Sequence, residues 1–213
     1  MSQPAAATRP NSVEERSASR QFARLVTEVL APSPIAVVML ALVAWTSADT
    51  RSEAIRWGLV AILFAPVVPF IYLIRQVRKR RVTDHHVKLR EQRPKILIVG
   101  TASVLLALAL MVALGAPREL TAVVGSGAAG LLAAIAITLS WKISIHVGTV
   151  AGTLVVLVML FGREILLLSP LVPLVGWARV KLGDHTPPQV IGGAVIGGLV
   201  TVASFSALMG MLG

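Results

Sequence analysis

Arg179 and His185 lie six residues apart in a polar turn between two apolar runs, and Pro187-Pro188 opens the second run. Two other polar patches carry the same kinds of side chain. Lys88, Arg90 and Arg93-Pro94 precede one apolar run, and Lys142, Ser144 and His146 follow another. Arginine and lysine suit a phosphate, arginine through its planar fork of donors. A pair of histidines can divide the work of nucleophile and general acid. No convincing cluster of carboxylates for Mg²⁺ is present, so neutralising a phosphoanion would fall to the cationic side chains. The chemistry suggested is phosphoryl transfer that needs neither a metal nor an organic cofactor.

The elements that must position these residues are apolar. The chain has 213 residues, 55% hydrophobic and 14% charged, with mean hydropathy +0.80. Runs of about twenty apolar residues recur, which is the length that crosses a bilayer as a helix. Strand-like alternation is absent, so the expected fold is all-α, a polytopic bundle of six to seven transmembrane helices. Residues 1–24 read as a polar tail and a basic surface helix, with capping-box spacing at Ser12–Glu15 and Arg16, Arg20 and Arg24 on one face. Residues 25–213 form the transmembrane domain. Its spans are expected at about 25–46, 55–74, 96–114, 120–140, 147–161, 165–180 and 188–212. The fifth and sixth are short, and read either as two thinned crossings or as a re-entrant pair, with two crossings preferred. Trp45, Trp57, Trp141 and Trp177 fall near span ends, where interfacial belts place them. Glycines at 192, 193, 197 and 198 give the last helix a smooth packing face.

Net charge is +10, but it falls on loops, which favours membrane topology and anionic headgroups over nucleic acid. With the N-terminus inside, sixteen of the twenty lysines and arginines lie on the inner face. That bias predicts a cytoplasmic N-terminus in a cell membrane, and it brings all three polar patches to the same face. The absence of cysteine rules out disulfides and thiolate metal sites.

In order and spacing the three patches resemble the motifs of the type 2 phosphatidic acid phosphatase (PAP2) and vanadium haloperoxidase superfamily: K-x6-R-P, P-S-G-H and S-R-x5-H-x3-D. Here the first ends in Arg93-Pro94, the second reads Ile143-Ser144-Ile145-His146, and the third reads Ala178-Arg179-x5-His185-x3-Gln189. The resemblance implies that His185 attacks phosphorus and carries a phosphohistidine, while His146 protonates the leaving oxygen. Arg93, Arg179 and the Ser144 region would hold the equatorial oxygens. Five positions depart from the pattern. His86 stands where the first motif has lysine, isoleucines replace proline and glycine of the second, Ala178 replaces serine, and Gln189 replaces the aspartate. Lys142, Lys88 and Arg90 are the candidates to supply the missing charge. A glutamine can accept a hydrogen bond from the imidazole but lacks the carboxylate's charge. The family's site usually faces away from the cytoplasm, opposite to the charge count, and both orientations stay open.

These expectations describe a membrane enzyme acting on a lipid phosphate or diphosphate of polyprenyl or phosphatidate type, with membrane lipids as partners and a homo-oligomer compatible with them. Two alternatives differ in class: a prenyl-diphosphate transferase or cyclase using the same pocket, and a catalytically degenerate lipid-binding protein. Asp84-His85-His86 invites a metal reading, but adjacent histidines rarely hold one ion without further ligands, and the loop reads as a wet interfacial stretch.

Overall fold

The computed structural model describes residues 12–87 and 89–212, with side chains from Ser17 onward. The tail, the Ser12–Glu15 capping box, Arg16 and Lys88 therefore lie outside the described structure or side chains. Among the described residues there are nine α-helices and no strand. They are α1 (Ser12–Val29), α2 (Pro32–Ser47), α3 (Arg51–Ile62), α4 (Val68–Arg78), α5 (Arg93–Ala113), α6 (Arg118–Thr138), α7 (Ile145–Phe161), α8 (Leu171–Lys181) and α9 (Pro187–Leu212).

Among the described residues, four helical stretches are long and apolar enough to cross a membrane: Arg51–Arg78, Arg90–Ala113, Arg118–Thr138 and Pro187–Leu212. A fifth arises if α1 and α2, bent by 43° at their break, form one span. The chain is thus an integral membrane bundle. Its seven expected apolar segments are all helical, but two depart from simple crossings. Pro32 and Pro34 start a new helix rather than kinking an existing one, because proline lacks the N–H that an interior position needs and fits the first turn. The expected sixth span is a 3-10 stretch at Arg163–Leu168 followed by α8, only 11 residues long.

Between α3 and α4 the helix widens into a π stretch at Leu63–Val67 that contains Pro66. The Val68 N–H bonds back to Leu63 O, five residues away. The next bond in that register would need an N–H from residue 69, which is proline. Ser103 Oγ on α5 donates to the Phe64 carbonyl instead, at 2.6 Å. A backbone group freed inside the bundle is satisfied by a neighbouring helix, as a lipid environment requires.

Two apolar cores hold the bundle. One joins α2, α3, α5, α6, α7 and α9 through residues such as Val43, Trp57, Met111, Leu120 and Phe205. The other joins α1, α7, α8 and α9 through Ala23, Val147, Val175 and Val190. Trp57 corrects an expectation, since it is 3% exposed and packs in the first core, whereas Trp45, Trp141 and Trp177 are exposed. Its position in sequence, one turn inside a span, does not reveal which side of the helix faces lipid.

The tightest seam lies between α7 and α9, which run side by side in the same direction. A Cβ on Gly193 would sit 2.5 Å from Ser144 O, and one on Gly152 would sit 2.6 Å from Thr201 Oγ1. A Cβ on Gly197 would collide with the Gly148 backbone. Only hydrogen side chains permit this approach. Gly192 instead meets the Trp141 ring, and Gly198 faces open space, so half of the expected glycine face serves the seam.

Candidate active site

The N-terminal ends of α5, α7 and α9 and the C-terminal ends of α6 and α8 meet at one end of the bundle. All but α6 bring one motif residue. Arg93 is the first residue of α5, His146 the second of α7, Arg179 lies in the last turn of α8, and His185 stands two residues before α9. Three helix N-termini directed at one place offer partial positive charge to an anion.

Arg93 is 3% exposed, and its fork is held on three sides. Nε donates to Val87 O at 3.0 Å, Nη1 to Ile143 O at 2.9 Å, and Nη2 lies 3.5 Å from His185 Nε2. The first two bonds tie the loop before α5 to the loop before α7, so one guanidinium joins two of the three patches.

His185 is set by the turn that ends α8. Gly183 has φ +76°, a conformation that glycine adopts without strain, and it lets the chain fold back so that the N–H groups of Asp184 and His185 both reach Arg179 O. Asp184 Oδ2 then lies 3.2 Å from Arg179 Nη1, with both side chains buried. On its other side the His185 ring places Nδ1 3.1 Å from Gln189 Oε1. The same oxygen accepts the Thr186 backbone N–H at 3.2 Å. Thr186 to Gln189 thereby makes half of a capping box, with the third residue of α9 reaching back to its N-cap. An acceptor at Nδ1 selects the tautomer that carries its proton there and leaves the Nε2 lone pair toward Arg93. Burial, reinforced by the charges of Arg93, Arg179 and Lys142, pushes the His185 pKa from 6.5 down to about 3, so the resting ring is neutral.

His146 is buried, and its Nε2 has no hydrogen-bond partner among the described residues. Its ring meets that of His86 edge-on, with centroids 5.2 Å apart. Arg93, His146 and His185 line one cavity of about 420 Å³. His85, His86 and Glu28 line its polar end, and Pro32, Val37, Pro66, Phe70, Leu73 and Leu97 continue it as an apolar trough between α2, the π stretch and α5.

The remaining sequence candidates sit beside this wall rather than on it. Arg179 is 1% exposed, and its Nε makes no hydrogen bond among the described residues. Ser144 is fully buried as the N-cap of α7, its hydroxyl accepting from Val147 N at 3.5 Å while its own N–H donates to Gln189 O at 3.1 Å. Lys142 Nζ donates to the Asp184 carbonyl at 2.7 Å, and partial burial together with Arg93 lowers its pKa. Arg90 turns away to the C-terminal end of α6, where Nη1 donates to Ser140 O at 2.9 Å. Lys88 lies outside the described residues.

One member of the cavity had no part in the sequence reading. Glu28, near the end of α1, places Oε1 2.9 Å from His86 Nε2 and 3.2 Å from His85 Nε2. The signal was a single carboxylate inside an apolar segment, which in a membrane chain marks a functional position by default.

No curated protein and no solved structure matches the chain. The description PAP2 superfamily does match, over residues 136–210. That segment contains Lys142, Ser144, His146, Arg179, His185 and Gln189, all of the second and third patches, and over it the chain is similar to the PAP2 superfamily.

Proposed function

We propose that this membrane protein hydrolyses a lipid phosphate or diphosphate, of polyprenyl or phosphatidate type, with His185 as nucleophile. The reading rests on one observation above all. The His185 ring is fixed between Gln189 Oε1 at Nδ1 and Arg93 Nη2 at Nε2, on the wall of a cavity that also holds His146.

The steps follow from those positions. The phosphoryl group enters beside Arg93, whose charge and the three helix N-termini draw its oxygens. The Nε2 lone pair attacks phosphorus, the P–O bond to the lipid breaks, and His146, protonated in the complex with the dianion, gives its proton to the leaving oxygen. Gln189 Oε1 accepts the hydrogen bond from Nδ1–H throughout and holds the ring while it carries the phosphoryl group. Neutral His146 then takes a proton from water, which attacks the phosphohistidine and releases phosphate. The Nε donor of Arg179, with no acceptor among the described residues, can turn to a phosphate oxygen. The apolar trough suits the lipid chain, keeping it out of water while the headgroup reaches the arginine. The excess of basic residues at this end of the bundle supports a cytoplasmic site, against the family's usual orientation.

The test is a phosphate-release screen across lipid phosphates in detergent, with His185→Ala run beside the wild type. Release by the wild type and none by the variant supports the reading. Equal release by both overturns it. Saturable lipid-phosphate binding without any release would mark a protein that kept the fold and lost the reaction.

A further inference from the structure

The polar end of the cavity carries a constellation that the phosphoryl chemistry does not use. Glu28 comes from α1, and His85 and His86 come from the loop before α5. One oxygen, Glu28 Oε1, is approached by both imidazoles through Nε2, at 2.9 and 3.2 Å. The three ligand atoms all lie within 4.8 Å of one another. A tetrahedral zinc site with bonds of 2.0–2.2 Å has ligand–ligand edges of about 3.3–3.5 Å, so these side chains could close on such an ion with small rotations.

Two further facts point the same way. His146 presents a buried Nε2 without a partner among the described residues, and its ring lies against that of His86. An unsatisfied imidazole nitrogen in the interior is costly unless something meets it. In addition, His86 stands seven residues before Arg93, where the family motif has a lysine. A neutral imidazole brings no charge to that place, whereas a cation held by it would.

We propose that Glu28, His85 and His86 bind one divalent transition-metal ion of the zinc class at the polar end of the cavity, with its remaining coordination positions open to that cavity. Two imidazoles and a carboxylate suit borderline ions such as Zn²⁺ rather than Mg²⁺ or Ca²⁺, which take oxygen ligands. Adjacent histidines alone make a poor site; the carboxylate, 57 residues away in sequence, completes it. The site stands on geometry independent of the phosphatase reading. Its consequence, a cation replacing the motif lysine beside a bound phosphate, rests on that reading.

The experiment uses the full chain in detergent, stripped with a chelator and then titrated with Co²⁺, whose visible absorption reports low-coordinate nitrogen and oxygen ligation, and with Zn²⁺ as competitor. The expected result is one saturable equivalent, displaced by Zn²⁺, with affinity at least about tenfold weaker in Glu28→Gln and in His85→Ala. His85 has a side chain 42% exposed and touches the neighbouring His86 ring, outside both apolar cores, so its truncation guards against a variant that merely misfolds. Zn²⁺ should also raise the Tm of the wild type and not that of Glu28→Gln, since a ligand bound only by the folded state stabilises it. No saturable binding up to about 100 μM metal, or unchanged affinity in both variants, overturns the proposal and leaves Glu28 as the ion-pair partner of two histidines. Phosphate release is not read in this titration, so neither reading falls with the other.

Discussion

Gln189 Oε1 accepts two hydrogens at once, one from Nδ1 of His185 at 3.1 Å and one from the backbone N–H of Thr186 at 3.2 Å. One side chain thus caps α9 and orients the proposed nucleophile. Family resemblance alone marks position 189 as a missing carboxylate. Its geometry retains the orienting half of that role and gives up the electrostatic half. Gln189→Ala should therefore lower kcat by at least about tenfold with little change in KM, because both the tautomer and the ring direction are released. Gln189→Asp should raise kcat and move the acid limb of the pH profile upward, as a carboxylate stabilises the charged ring. A rate unchanged in both variants would remove Gln189 from the mechanism.

His185→Ala and His146→Ala should both retain the fold, judged by an unchanged elution profile. The first should reduce phosphate release by at least about a thousandfold, and the second by about a hundred- to ten-thousandfold. Wild-type enzyme quenched in alkaline detergent after labelled substrate should hold base-stable, acid-labile phosphate that His185→Ala does not.

The depressed pKa of His185 has a consequence for stability. With a folded value of about 3 against an ordinary 6.5, the unfolded chain binds more protons than the folded one between those limits. Stability is therefore fully present above pH 6.5 and is lost as pH falls toward about 3, where the linkage saturates. Melting curves taken across that interval should fall more steeply for the wild type than for His185→Gln, which has nothing to titrate at that position. Parallel curves would show that the ring is not held neutral by its surroundings.

Arg93→Lys tests whether charge or shape matters at the junction of the two loops. Lysine keeps the cation but cannot reach Val87 O, Ile143 O and His185 together, as the guanidinium does. The variant should lose at least about tenfold in kcat/KM and several degrees in Tm. Full activity would mean that the site needs only a point charge.

The chain contains no cysteine, so single-cysteine variants report topology cleanly. Arg80→Cys lies in the basic loop after α4, on the site end of the bundle, and Thr46→Cys at the end of α2, on the far end. An impermeant thiol reagent on intact cells should label the second and spare the first. The opposite pattern would put the site outside, in keeping with the family's usual orientation and against the basic-residue count.

Most of the architecture was legible because lipid imposes one rule on every span, a long apolar run whose backbone satisfies itself. The helix ends at Arg93, Arg118, Ile145 and Pro187 fall within three residues of the sequence boundaries for that reason. Facing within a span was not legible. Trp57 reads as an interfacial residue and is buried, because hydropathy reports composition and not direction. Motif spacing singled out Arg93, His146 and His185, which line one cavity, but not the direction of Arg90, which caps α6 instead. Glu28 carried a local signal as a lone carboxylate in an apolar segment, but its partners lie 57 and 58 residues away, and no local pattern names them.

The glycine-lined contact between α7 and α9 has a mechanical consequence. With backbones touching along three turns, the two helices behave as a single stiff beam, and the second and third motifs are mounted at the same end of it. Thickening or thinning the surrounding lipid can flex the looser periphery, where α1, α2 and the widened segment before α4 form the trough. The spacing of the two imidazoles stays fixed while the groove for the hydrocarbon tail adapts.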